Sequence, residues 1–189
     1  VLGADANRTN GTTSNNSFGY VSPSMSGVTL HASYYTGSTT QASFYTDMGI
    51  KVSPEMVEGL EVGYAFGTSE ATAGTEIDES TMYVKYAVGA VTVGYQTSEY
   101  DAPTAAASND STMWGISYAV SDSFSIAYST SEFDIGGAAA DQESDGISAS
   151  YTMGGITVAG AMNSTDNIAG STATTADKDA YEMSISFAF

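Results

Sequence analysis

At 189 residues, with 42% apolar content, 20 glycines and few leucines, the chain is long enough for one domain but poor in the residues that build helices. Its 22 acidic residues against 4 basic ones give a formal charge of −18, which excludes nucleic acid as a partner because a phosphate backbone would be repelled. Cysteine is absent, so neither a disulfide framework nor a thiolate metal site is available.

Alternation of apolar and small polar residues predicts strands at Ser17–Val21, Val28–Thr36, Ala42–Val52, Leu60–Thr68, Thr81–Val88, Val91–Glu99, Thr112–Val120, Phe124–Glu132, Gly146–Met153, Ile156–Asn163 and Ala180–Phe189. Successive strand side chains point to opposite faces. One face therefore collects Phe44, Met48 and Ile50, then Val62, Tyr64 and Phe66, then Met82, Val84 and Tyr86, and finally Tyr181, Met183, Ile185 and Phe187. The other collects Ser43, Tyr45, Gly63, Tyr83, Gly94, Gln96, Ser184 and the charged Asp47, Lys51, Glu61, Lys85 and Glu182. No run approaches the roughly 20 apolar residues of a membrane helix, whereas a membrane strand needs only about 9–11. An all-β fold follows, and the pattern is that of a transmembrane wall with lipid on one side and water on the other.

The predicted links alternate in length. Short ones, at Ser22–Gly27, Ser53–Gly59, Gly89–Ala90, Ser121–Ser123 and Gly154–Gly155, are rich in Gly, Ser, Pro or Asp, as tight hairpins require. Longer ones fall at Gly37–Gln41, Ser69–Ser80, Tyr100–Ser111, Phe133–Asp145 and Ser164–Asp179. Short turns at one end and long loops at the other are the arrangement of outer-membrane barrels, with the turns in the periplasm. Tyr64, Phe66, Tyr86, Tyr95, Tyr118, Tyr128 and Tyr151 fall on the apolar face, as interfacial girdles would, and Trp114 is expected there near the loop end of its strand. A soluble sandwich would alternate too, but with larger aliphatics and fewer tyrosines on its buried face.

Most acids fall in the longer links or beside them, which concentrates negative potential at that mouth and attracts cations. Asp141, Glu143 and Asp145 have the spacing that opens a calcium loop, so Ca²⁺ at the extracellular loops is the one ion site the sequence offers. No glycine-kinked loop of about twelve residues with a terminal bidentate glutamate follows, and solvated acidic loops account for the same residues. His31 is the only histidine and is placed mid-wall, so neither a zinc site nor a nucleophilic triad is indicated, and no enzyme and no required cofactor are expected. Val1 opens no basic segment followed by an apolar one, so the leader of an exported chain is expected to have been removed or omitted.

The segment Asn16-Ser17-Phe18-Gly19-Tyr20-Val21-Ser22-Pro23-Ser24-Met25-Ser26-Gly27 resembles the hairpin after the constriction loop in Gram-negative general diffusion porins, the alphaproteobacterial type above all, with Met25 replacing an aromatic. The terminal Phe189, with apolar residues at alternate positions before it, resembles the family's assembly signal for the barrel-insertion machinery. The resemblance implies an antiparallel transmembrane β-barrel of which this chain supplies about eleven strands, like the last eleven of a sixteen-stranded porin. Residues 1–15 would be the remnant of the inward-folded constriction loop, and 16–189 the strands, turns and loops. It further implies passive diffusion of ions and small hydrophilic solutes through a homotrimer in the outer membrane, surrounded by lipid and lipopolysaccharide. Carried onto this chain, Asp5 and Arg8 approach the constriction, and alternation adds Asp47, Lys51, Glu61 and Lys85 as pore-lining residues of a weakly cation-preferring channel. The competing reading is a β-rich surface adhesin with acidic, calcium-responsive loops.

Overall fold

The computed structural model describes residues 17–36, 44–72 and 75–188, and within them it is a single antiparallel sheet. The strands are β1 (Ser17–Val21), β2 (Val28–Thr36), β3 (Phe44–Val52), β4 (Leu60–Thr72), β5 (Thr75–Val88), β6 (Val91–Asp101), β7 (Asn109–Ala119), β8 (Phe124–Ile135), β9 (Gln142–Met153), β10 (Ile156–Asp166) and β11 (Lys178–Phe187). Each pairs with its neighbour in sequence, and the strand order runs from β1 to β11 without a crossover. Such a meander satisfies the backbone groups of every internal strand on both sides, which a wall crossing lipid requires.

Turn chemistry sets one end of the sheet. The links between β1 and β2, β3 and β4, β5 and β6, and β9 and β10 occupy 22–27, 53–59, 89–90 and 154–155, the boundaries that Gly, Ser and Pro predict. Gly59 has φ +81° and accepts a hydrogen bond from the Ala87 amide at 2.9 Å, tying the β3–β4 turn to the end of β5.

At the other end the strands run further than the residue pattern predicts. The expected Ser69–Ser80 link is mostly strand, because β4 continues to Thr72 and β5 begins at Thr75. Likewise β8 reaches Ile135, β9 starts at Gln142, and β10 reaches Asp166. Beyond the apolar band the outward positions turn acidic while Ile77, Phe133 and Ile135 stand inward, so the outward apolar pattern ends while the ladder hydrogen bonds continue. The links that remain are bound to one another: the Gly136 amide donates to Ser108 O (2.9 Å), Ala139 to Gly170 O (3.3 Å), and Asn167 Nδ2 to Asp141 O (3.1 Å). Residues 42 and 43, the 37–41 link and Phe189 lie outside the described residues, and β11 ends at Phe187.

The sheet has no dry core. Met113 is the only buried apolar residue among those described, whereas Tyr181 is 74% and Met183 75% exposed. Registry places the large apolar side chains on one face throughout. Leu60, Tyr86, Val93, Ile116, Tyr128, Ile147, Met162 and Tyr181 form one continuous cross-strand row, and Val62, Val84, Tyr95 and Trp114 form part of the next. Gly63, Lys85 and Ser184 stand on the opposite face, as predicted. A chain that could bury a substantial core in water instead exposes its apolar face, and the medium that tolerates this is lipid. From the turn end towards the loop end, the outward side of a strand reads apolar, then hydroxyl, then carboxylate. On β6 this is Val91, Val93, Tyr95, Thr97, Glu99 and Asp101; on β8 it is Phe124, Ile126, Tyr128, Thr130, Glu132 and Asp134. Three such apolar positions span about 14 Å of strand, and the four on β4, Leu60, Val62, Tyr64 and Phe66, about 20 Å, near the roughly 25 Å apolar band of outer-membrane barrels. Trp114 sits at the loop-side edge of this band but in the middle of β7, its ring edge-on to Tyr128 at 5.6 Å.

Candidate functional site: the inward face of the wall

The inward face is hydroxyl-rich. Ser125 and Ser150 pair at 3.0 Å, Ser144 donates to Thr165 at 3.0 Å, and Thr152 pairs with Thr157 at 2.9 Å, each bond crossing between neighbouring strands. At mid-sheet Thr81 Oγ1 (3.1 Å) and Gln96 Nε2 (3.4 Å) both donate to Ser98 Oγ. Such short polar groups solvate a wall without filling the space it encloses.

Three of the predicted pore-lining residues are brought together near the turn end. Glu61 on β4 lies directly opposite Lys85 on β5. Lys51 on β3 pairs with Gly63, two residues along β4 from Glu61, and so reaches the same carboxylate diagonally. Lys85 Nζ is 3.5 Å from Glu61 Oε1, and Lys51 Nζ is 3.8 Å from Oε2. Tyr83 OH donates to Glu61 Oε1 at 3.1 Å, while its ring lies across Gly63, where a Cβ would overlap it. Alternation found the three charges; Tyr83 as their anchor was missed, although a tyrosine opposite a glycine on one sheet face is a readable signal.

Asp47 shares this face but not its openness. It is 4% exposed and accepts a hydrogen bond from Ser33 Oγ at 2.8 Å, so its carboxylate is enclosed within the wall rather than open to a channel. Small neighbours allow this: Asp47 pairs with Ser33 on one side and Gly67 on the other. Asp5 and Arg8 lie outside the described residues. His31 is on the inward face of β2, its ring laid over Gly49.

Most acids at the loop end face outward, with Glu79 on the inward side of β5 as the exception. Glu99, Asp110 and Asp134 stand opposite one another across β6, β7 and β8 on the outward face, as do Asp78 with Asp101 and Glu132 with Glu143 and Asp166. The alternation that turns Tyr95 and Trp114 outward turns these carboxylates outward too. Hydroxyls tie some of them in place, Thr68 donating to Asp78 Oδ1 (2.7 Å) and Ser80 to Glu99 Oε2 (3.3 Å). Of the predicted calcium residues, Glu143 and Asp145 share the outward side of β9 and Asp141 precedes the strand. Among the described residues no group of three or more His, Cys, Asp or Glu side chains is gathered to hold a metal ion. The described inward charges are Asp47, Glu61, Glu79 and Glu182 against Lys51, Lys85 and Lys178, so most of the chain's negative charge lies off the inner wall.

An antiparallel sheet with an exposed apolar exterior, an aromatic border and a hydroxyl-lined inner face is the wall of a transmembrane β-barrel. The sequence model of the Gram-negative porin family matches residues 1–189, and the chain belongs to that family. No curated protein matches it. Among solved structures, the anion-selective porin from Comamonas acidovorans superposes with a TM-score of 0.76 at 14% identity, covering 93% of this chain and 60% of that one. A mutant of the Rh. blastica porin gives 0.63 at 21% identity over 93% and 56%. The NanC porin gives 0.52 at 12% identity over 92% and 98%. This chain thus spans less than two thirds of the length of the first two porins.

Proposed function

We propose that this chain forms most of the wall of an outer-membrane porin, a water-filled channel through which ions and small hydrophilic solutes diffuse passively with a weak preference for cations. The observation that carries this reading is the face segregation sustained over eleven strands: exposed Tyr, Val, Ile and Met outward, Ser, Thr, Gly and paired charges inward. Lipid and lipopolysaccharide meet the outward face, the short turns lie in the periplasm, and the barrel-assembly machinery inserts the chain into a homotrimer; these features follow from the family resemblance. Permeation needs only a wet lumen of fixed width and charge, so no catalytic step is involved.

The preference is weak because few charges reach the inner wall. The Comamonas porin shares the fold and is anion-selective, so the architecture by itself does not dictate a cation preference, and this reading rests on the charges of the present wall. Planar-bilayer recording tests the reading. The full-length protein is expected to give ohmic steps and, in a salt gradient, a small cation-biased reversal potential. Folding without detergent and silence at high protein dose would instead support the adhesin.

A further inference from the structure

Three charges converge on one spot of the inner wall, and the geometry assigns them a joint role. Glu61 holds the ammonium groups of Lys85 at 3.5 Å and Lys51 at 3.8 Å, and both lysine side chains are about half exposed, at 52% and 47%. One carboxylate cannot neutralise two ammoniums, so the trio keeps a net positive charge that faces the enclosed side of the sheet. The other described inward charges are Asp47, Glu79 and Glu182 against Lys178, a net negative remainder. The wall therefore carries a positive station near the turn end within an otherwise slightly negative lining.

We propose that Lys51, Glu61 and Lys85 form an anion-attracting selectivity element, and that Glu61 sets its strength. Small monovalent anions, and solutes bearing a single carboxylate or phosphate, pass within reach of the two ammoniums. Glu61 limits how long they stay. Its carboxylate occupies the donors an anion would use, and Tyr83 OH, bonded to Oε1 at 3.1 Å, holds it in that position. The station's net positive charge keeps the weak cation preference from growing, because it offsets the inward acids, and Glu61 moderates that offset. The inference rests on the porin reading and adds to it the residues that set ion choice.

A unit charge about 7 Å from a passing ion in water changes its local concentration by roughly twofold to threefold. The effect is screened when the Debye length falls from about 10 Å at 0.1 M salt to about 3 Å at 1 M. Two predictions of opposite sign follow. In a potassium chloride gradient near 0.1 M, Glu61→Gln should lower the potassium-to-chloride permeability ratio by about twofold to threefold, and the double change Lys51→Gln with Lys85→Gln should raise it by at least as much. Both shifts should shrink near 1 M. The outward triple change Glu99→Gln, Asp110→Asn and Asp134→Asn removes more charge, yet should leave the ratio within about 20% of the parent, because these carboxylates lie on the other face of the wall and about two Debye lengths from the station.

Unchanged ratios in both inward variants, with channels still opening, would overturn the proposal. So would an outward triple variant that shifts the ratio as far as Glu61→Gln does, since net charge would then set selectivity. A parent protein that never conducts would count against the porin reading itself and is read from the same recordings. If Glu61→Gln fails to insert, the double lysine variant carries the test alone.

Discussion

Ile116→Arg is expected to cost about 2–4 kcal/mol of folding stability in a bilayer, while Ser117→Arg, one residue along the same strand, is expected to cost less than about 1 kcal/mol. Ile116 lies midway along the outward apolar band of β7, between Val93 and Tyr128, and is 41% exposed. An arginine there must leave water for hydrocarbon. Ser117 faces inward between Thr92 and Ala127, whose small side chains leave an arginine room to extend into solvent. In a water-soluble protein the order would differ, because a residue already so exposed is usually replaced at a cost within about 0.5 kcal/mol. Urea titration of the two variants refolded into lipid vesicles measures the difference.

Gly59→Ala is expected to lower stability by about 2–5 kcal/mol, the sum of a left-handed backbone penalty and a steric one. At φ +81° the added Cβ would overlap the carbonyl oxygen of Ala87, which is backbone of an adjacent strand and cannot swing aside. The turn must open or β5 must shift, and either movement weakens the bond from the Ala87 amide to Gly59 O. Gly89, at φ +58° with open space around its Cβ position, isolates the backbone part. Gly89→Ala should cost only about 1–2 kcal/mol. Equal losses in the two variants would show that Ala87 yields freely.

Some parts of this molecule were written plainly in its residues and others were not. Turn ends such as Gly89-Ala90 and Gly154-Gly155 were legible because each hairpin needs residues that tolerate a left-handed backbone. The two faces were legible because a period of two leaves no ambiguity once one residue is placed: Val84 outward fixes Lys85 inward. The loop-side strand ends were not. Glu70, Glu76 and Asp78 read as loop because their polarity resembles the end of a strand, yet outside the apolar band a ladder needs no greasy face. Parity also decides where the loop-end charge sits: the acids gather at that end as their clustering near the long links predicts, but Glu99, Asp110 and Asp134 stand on the outer surface. The candidate site was legible as three charges of one parity, whereas Tyr83 as the hydrogen-bonded anchor depended on register and ring placement. Enclosure of Asp47 depends on its cross-strand neighbours Ser33 and Gly67, which no single strand reveals.

The chain contains no cysteine, so single cysteines for spin labelling can be introduced one at a time along a strand. Labels at 82, 84 and 86, and at 183 and 185, are expected to collide with oxygen dissolved in the bilayer. Labels at 85 and 87, and at 184 and 186, are expected to collide with a water-soluble paramagnetic reagent, so that accessibility alternates with a period of two. Water access on every position, or oxygen access on the even positions of β11 and water access on the odd ones, would contradict a wall that turns its apolar face to lipid.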